Sequence, residues 1–137
     1  MTIRYEINVP ISIYQFIDIL KRSGLAERRP VNDRQCILGM LEHGNLLVTA
    51  WQGEILVGVA RSLTDFHYVC YLSDLAVDQA YQQQGIGKHL QHLTQQQLGS
   101  HGKVILLAAP AAHAYYQHIG YALHPRCWLL ERDQPLS

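Results

Sequence analysis

The sequence predicts an α/β (α+β) fold with a mixed central sheet, and three observations predict it. Segments with the two-residue period of a strand alternate with segments of helical period along the chain. Two stretches rich in β-branched and aliphatic residues, 46–51 and 54–63, flank Gln52-Gly53 and read as an antiparallel hairpin. A nearly continuous apolar run over 68–77 is followed by two glycines, an amphipathic helix and a second short apolar run. That is the pattern of a right-handed crossover, which joins parallel strands.

The first strand is expected over residues 2–9, where Ile3, Tyr5 and Ile7 share one side and Pro10 closes it. Ser12 and Gln15 form a capping box for a helix carrying Ile13, Phe16, Ile17 and Leu20 on one face, stopped by Gly24. After the basic connection AERRP, Asn32 and Gln35 form a second cap pair, with Ile37, Met40 and Leu41 on one face and Gly44 as the stop. The hairpin follows, and then the central strand over 68–77, where alternation places Tyr71, Ser73 and Leu75 on one face and Leu72, Asp74 and Ala76 on the other. A polar loop over 78–84 leads to a helix that starts near Gly85, with Ile86, Leu90 and Leu93 inward, and ends near Gly99. Residues 103–108 form the next strand, Pro110 opens a last helix over 111–118, and 121–131 give a final strand or strand pair interrupted by Pro125. The order is β-α-α-β-β-β-α-β-α-β, with four helices and six to seven strands.

At 137 residues the chain fits a single domain, 1–137, with a sizeable core. Eleven basic and eleven acidic residues cancel, which argues against nucleic acid or an anionic membrane as partner. Cys36, Cys70 and Cys127 form no C-x-x-C pair and read as buried, reduced thiols of a cytoplasmic protein. The start, MTIRYEINVP, has neither a basic leader nor a long apolar segment. His89 with His92, and His113 with His118, lack a third ligand in register, so no metal is expected.

The segment YVCYLSDLAVDQAYQQQGIGK, residues 68–88, holds the sharpest signal. It is not a P-loop, which would need Gly at Gln82 and Ser or Thr at His89. Nor is it a dinucleotide fingerprint, whose third glycine would fall at Leu90. What is left is Q-x-x-G-x-G, from Gln82 through Gly85 to Gly87, between an apolar strand and an amphipathic helix. Glycines let the main chain come close to an anion, and a helix start offers unpaired N–H groups.

This pattern resembles motif A of the GCN5-related N-acetyltransferase (GNAT) superfamily. AAHAYYQHIGY at 111–121 resembles the superfamily's A-x-x-F-Y-x-x-x-G-F block, and the element order agrees along nearly the whole chain. VGVARSLTD, residues 57–65, further resembles the arylalkylamine (serotonin-type) acetyltransferase subgroup.

The resemblance implies that acetyl-CoA is the cosubstrate and a small primary amine the acceptor, with direct attack in a ternary complex. It places pantetheine along Leu75, Ala76 and Val77, and pyrophosphate at Gln82, Gln83, Gln84, Gly85, Ile86, Gly87 and Lys88. Tyr116 becomes the general acid that protonates the CoA sulfur. Asp65, Ser73 and Asp74 are the candidates for a base or a substrate contact, and Arg61 is either an ion-pair partner or a ligand contact. Two departures stand out: Gln83 where glycine is frequent, and Ala109 where the superfamily often has Asn. Peptide or protein N-acetylation and a non-catalytic acyl-CoA-binding module are the alternatives. A homodimer through the apolar stretch 121–130 is permitted but not required.

Overall fold

The computed structural model describes residues 2–137; Met1, the start of the expected single domain, lies outside the described residues. The described chain falls into a first compact unit ending at Leu107 and a second running from Ala108 to Ser137.

The first unit is built on a five-stranded sheet in the order β1-β2-β3-β4-β5. Strand β1 (Arg4–Ile7) is shorter than expected because Asn8 turns to φ 57 and bonds back to Leu47, its N–H to the carbonyl and its Oδ1 to the amide. Helix α1 (Ile13–Ser23) carries the expected capping box: Ser12 Oγ accepts from the Gln15 amide at 3.1 Å and Gln15 Oε1 from the Ser12 amide at 2.8 Å. A short 3-10 turn, Leu25–Arg28, leads to α2 (Arg34–His43). Its cap is Asp33, not Asn32, because it is the Asp33 carboxylate that reaches the Cys36 amide at 3.0 Å.

Strands β2 (Leu46–Gln52) and β3 (Ile55–Thr64) form the hairpin, with Gly53 at φ 59 in a turn shifted one residue past the expected one. β4 (Val69–Val77) pairs antiparallel with β3 and parallel with β5 (Lys103–Ile105). Helix α3 (Ile86–Gln96) connects β4 to β5 and completes the crossover.

Two cores lie on opposite faces of the sheet. Phe16, Ile19 and Leu20 of α1 and Ile37 of α2 pack with Val59 and Ala76 on one face. Ile86 and Leu90 of α3 pack with Val48, Ala50, Val57, Cys70 and Leu72 on the other. Gly58 allows α3 its close approach: a Cβ there would sit 3.1 Å from Leu90 Cδ1 and 3.3 Å from Ile86 Cγ2.

The simple alternation expected along β4 does not hold. Arg61 pairs with Asp74 but Ser62 pairs with Leu72, so Ser73 is the extra residue of a bulge. Leu72 therefore joins the α3 core, while Ala76 joins the α1 core. Asp74 faces the α1 side with Ala76, where two arginines meet it.

In the second unit a 3-10 turn, Pro110–Ala112, precedes the short helix α4 (His113–His118). The expected final strand over 121–131 does not form, which lowers the strand count from six or seven to five. Pro125 removes a ladder donor and restrains His124. The bonds made here are local instead: the Arg126 amide donates to His124 Nδ1 and the Gln134 amide to the Glu131 carbonyl. Trp128, Leu129 and Leu130 remain exposed. Two of the cysteines also differ from expectation, since Cys36 and Cys127 are exposed and only Cys70 is buried.

Candidate functional site

β4 is longer than its neighbour, and this opens the site. Pairing with β5 covers Val69 to Tyr71 and stops at the Tyr71–Ile105 pair, whereas β4 runs on to Val77. From Ser73 onward the β5 side of β4 carries no ladder partner among the described residues. Leu75 and Val77 are half-buried along this stretch, and Ala76 is buried. An extended backbone edge of this kind can pair with the amides of a linear ligand.

The edge leads directly into residues 78–88. Asp78 begins the loop by accepting the Ala80 amide at 2.8 Å, which nucleates a 3-10 turn over Gln79–Tyr81. Arg22 of α1 anchors it from below, with Nη1 2.5 Å from Asp78 Oδ2, Nη2 2.6 Å from the Leu56 carbonyl and Nε 2.8 Å from Asp18 Oδ2. Tyr81 donates its hydroxyl to Gln52 Oε1. The sequence reading did not single out Arg22 or Asp78, although a carboxylate directly after a strand and two residues before a turn amide is a readable cap signal.

Gln82 donates Nε2 to the Val77 carbonyl at 3.0 Å, so its side chain pins the loop to the strand end. Gln83 stands at φ 63, the left-handed region that L-residues avoid, which gives the physical reason glycine suits this position. Gly85 caps α3 at φ 83 with no side-chain cap bond, and the first ladder amide is His89, which donates to the Gly85 carbonyl at 3.0 Å. The amides of Ile86, Gly87 and Lys88 therefore have no intrahelical acceptor. The Ile86 side chain is buried in the α3 core, so it can meet a ligand only through its backbone, whereas Gln84 and Lys88 are exposed. This fits a pyrophosphate: the donors are main-chain N–H groups at the positive end of a helix.

The three residues expected to supply a base or substrate contact occupy different settings. Asp74 is fully buried, with Arg29 Nε 2.5 Å from Oδ1 and Arg61 Nε 2.5 Å from Oδ2. Ser73 takes Arg29 Nη2 on its carbonyl at 2.7 Å and Arg61 Nη2 on its hydroxyl at 3.0 Å. Arg61 Nη1 reaches the Met40 carbonyl at 2.8 Å, so this network ties α2, β3 and β4 together. The ion-pair reading of Arg61 is the one this geometry supports. Arg29 was hidden in the basic connection AERRP, where nothing in spacing ties it to a strand 45 residues away.

Asp65 sits at the β3–β4 turn, where Oδ1 accepts the amides of His67, Tyr68 and Val69 at 3.0, 2.8 and 3.1 Å. Those backbone donors, Tyr68 first, lower its pKa from the ordinary 3.8 to about 2. A carboxylate of that acidity is a weak proton acceptor near neutral pH.

In the second unit, Ala109 precedes the Pro110 turn with no side-chain cap, and the Ala112 amide bonds to its carbonyl at 2.8 Å. Tyr116 is half-buried in α4 and packs edge-on against Tyr115 and Tyr121, with ring centroids 5.2 and 5.4 Å apart. Among the described residues no group of three or more His, Cys, Asp or Glu is placed to hold a metal ion, and no helix is long and apolar enough to cross a membrane.

A parallel pair that parts beside a glycine-capped helix defines an acetyltransferase fold, and solved structures share it. A GNAT-family acetyltransferase from Streptococcus pneumoniae superposes with a TM-score of 0.71 at 17% identity, covering 96% of this chain and 100% of that one. An aminoglycoside acetyltransferase from an uncultured soil metagenomic sample, solved in complex with sisomicin, gives 0.66 at 19% identity and 97% coverage of both. Residues 21–126 match the model of the acetyltransferase (GNAT) domain, and the chain belongs to that family. It is also 30% identical over 105 residues to an uncharacterized ycf52-like N-acetyltransferase of Prochlorococcus marinus, a match covering 72% of this chain and 57% of the relative's length.

Proposed function

We propose that the chain is an acetyl-CoA-dependent N-acetyltransferase that acetylates the primary amine of a small molecule by direct attack in a ternary complex. The observation that carries this reading is the β4 edge beyond Tyr71, without a strand partner and continuous with the uncapped amides of α3. Pantetheine pairs with the backbone of Leu75, Ala76 and Val77. The pyrophosphate lies on the amides of Ile86, Gly87 and Lys88, with Gln84 and the Lys88 ammonium as added donors. Gln82 and Gln83 shape the loop rather than grip the ligand.

Transfer requires a neutral amine, which attacks the thioester carbonyl as the carbon–sulfur bond breaks. Tyr116 donates its phenolic proton to the departing thiolate, a role supported by its match to the superfamily's tyrosine. Asp65, made a weak base by the three backbone donors on Oδ1, and Asp74, held between guanidiniums, are structural in this scheme, and the amine proton leaves through water. Ser73 fixes the bulge beside the reacting carbonyl. The small-molecule assignment is supported by VGVARSLTD and by a fold that accommodates an aminoglycoside in another protein. A homodimer through residues 121–130 belongs to the same proposal, supported by the exposure of Trp128 and Leu129.

The test is thiol release from acetyl-CoA across a panel of amines. Acceptor-dependent release is expected, reduced roughly 10²- to 10⁴-fold in kcat by Tyr116→Phe. Release on peptides alone would favour protein acetylation; background rates with tight CoA binding would make the chain a binding module.

A further inference from the structure

We propose that the amine acceptor carries an anionic group, a carboxylate or a phosphate, and that Arg29 receives it. The inference deepens the acetyltransferase reading and rests on it.

Two guanidiniums converge on one carboxylate at the β4 bulge, Arg29 and Arg61 on Asp74. Among the described residues Asp74 is the one carboxylate ion-paired with either arginine, so the cluster carries an uncompensated positive charge. A charge held out of water without its counter-ion is costly, and an anion arriving from a ligand relieves that cost.

The two arginines differ in what they can still do. Each makes one bond from each of its three nitrogens, Arg61 to Asp74, the Met40 carbonyl and the Ser73 hydroxyl, but the Arg61 side chain is only 5% exposed, so its remaining N–H groups are out of a ligand's reach. The Arg29 side chain is 22% exposed. Its Nε goes to Asp74, Nη1 to the Arg28 carbonyl and Nη2 to the Ser73 carbonyl. A guanidinium has five N–H donors, so these bonds leave it one N–H on each terminal nitrogen, and charged donors of this kind take a carboxylate or phosphate. Of the acidic residues on the same connection, Asp33 is occupied as the α2 cap and Glu27 is exposed to solvent.

Position adds to charge. The residue Arg29 grips is Ser73, where β4 has just lost its β5 partner, two residues before the edge assigned to pantetheine. An anionic group on Arg29 holds the acceptor beside the strand segment along which the thioester lies. Arg29 bonds to Asp74, Arg28 and Ser73 and not to the amides of α3 assigned to the pyrophosphate.

The experiment compares matched acceptors by kcat/KM with saturating acetyl-CoA: tyrosine with tyramine, tryptophan with tryptamine, lysine with cadaverine, and phosphoethanolamine with ethanolamine. Wild type should favour the anionic member of at least one pair by roughly tenfold to a hundredfold, the range of a charge-assisted hydrogen bond. The carboxylate and phosphate pairs show which anion is read. Arg29→Gln should bring that ratio close to one, and Arg29→Lys should restore part of it. The wild-type panel decides whether the acceptor is anionic even if Arg29→Gln fails to fold, and Arg29→Lys, which keeps the charge but loses the paired N–H groups, then tests the residue by a reduced ratio. Equal or better turnover of the neutralised partners overturns the inference and leaves the acetyltransferase intact. A preference that survives in folded Arg29→Gln overturns the role of Arg29, while no transfer to any amine overturns the acceptor reading and the inference with it.

Discussion

The bulge in the middle of β4 and the strand's C-terminal end are built by opposite means. At the C-terminal end, residues 78–88 offer main-chain amides, and the side chains there mostly hold the loop: Asp78 caps a turn, Gln82 ties to Val77 and Ile86 sits in the core. At the bulge, Ser73, Asp74, Arg29 and Arg61 bond mainly through side chains brought from three separate stretches of chain. A backbone site needs only the right φ angles and tolerates many sequences. A side-chain network fails when one member is lost, and its identity can differ freely between relatives that share the fold.

The largest loss is expected at the bulge. Asp74→Ala leaves two guanidiniums without their carboxylate and should cost about 3–5 kcal/mol in urea denaturation, because breaking a buried pair strands the remaining charge. A loss below about 1 kcal/mol would show that the network is not structural. Beyond the C-terminal end of β4, Gly85→Ala puts a Cβ on a residue at φ 83 and should cost about 1–2 kcal/mol while weakening CoA binding measured by calorimetry. Nothing lies within 4 Å of that Cβ, so the penalty comes from the backbone and not from a clash.

Gln83→Gly sharpens the contrast in the opposite direction. It relieves a left-handed residue and should leave stability equal or raise it by up to about 1 kcal/mol, with CoA affinity kept, since the pyrophosphate contacts proposed above are main-chain amides. Lost affinity would mean that the Gln83 side chain is itself a ligand contact.

The smallest effect belongs to Asp65. Its folded pKa lies below the unfolded one, so its contribution is complete above the ordinary 3.8 and is lost as pH falls towards about 2. Asp65→Asn should flatten the stability profile between about pH 4 and 2 and leave turnover at neutral pH largely intact. A large loss of turnover at pH 7 would restore Asp65 as a substrate contact.

Legibility in the sequence followed the same division. The capping box of Ser12 and Gln15, the hairpin and the glycine-opened α3 are local, and all three are visible in the residue pattern. The departures at Gln83 and Ala109 are visible in the sequence as residue types, whereas the left-handed φ of Gln83 and the uncapped turn after Ala109 are seen only in the structure. The bulge was not, because an inserted residue leaves the apolar pattern of β4 nearly unchanged while reversing its faces. Arg29 and Arg22 act across long sequence separations that no local period encodes. The last strand was misjudged because apolar residues 121–131 have strand composition, yet composition supplies no ladder partner.

In the proposed reaction the β4 edge and the α3 amides present acetyl-CoA to an amine. Thiol release from acetyl-CoA by the purified protein, with and without the amine panel, tests it most directly. Release that depends on a primary amine, saturates with acetyl-CoA and falls at least a hundredfold in Tyr116→Phe is the predicted result. Release that is the same with and without amine, and the same in the variant, would contradict it.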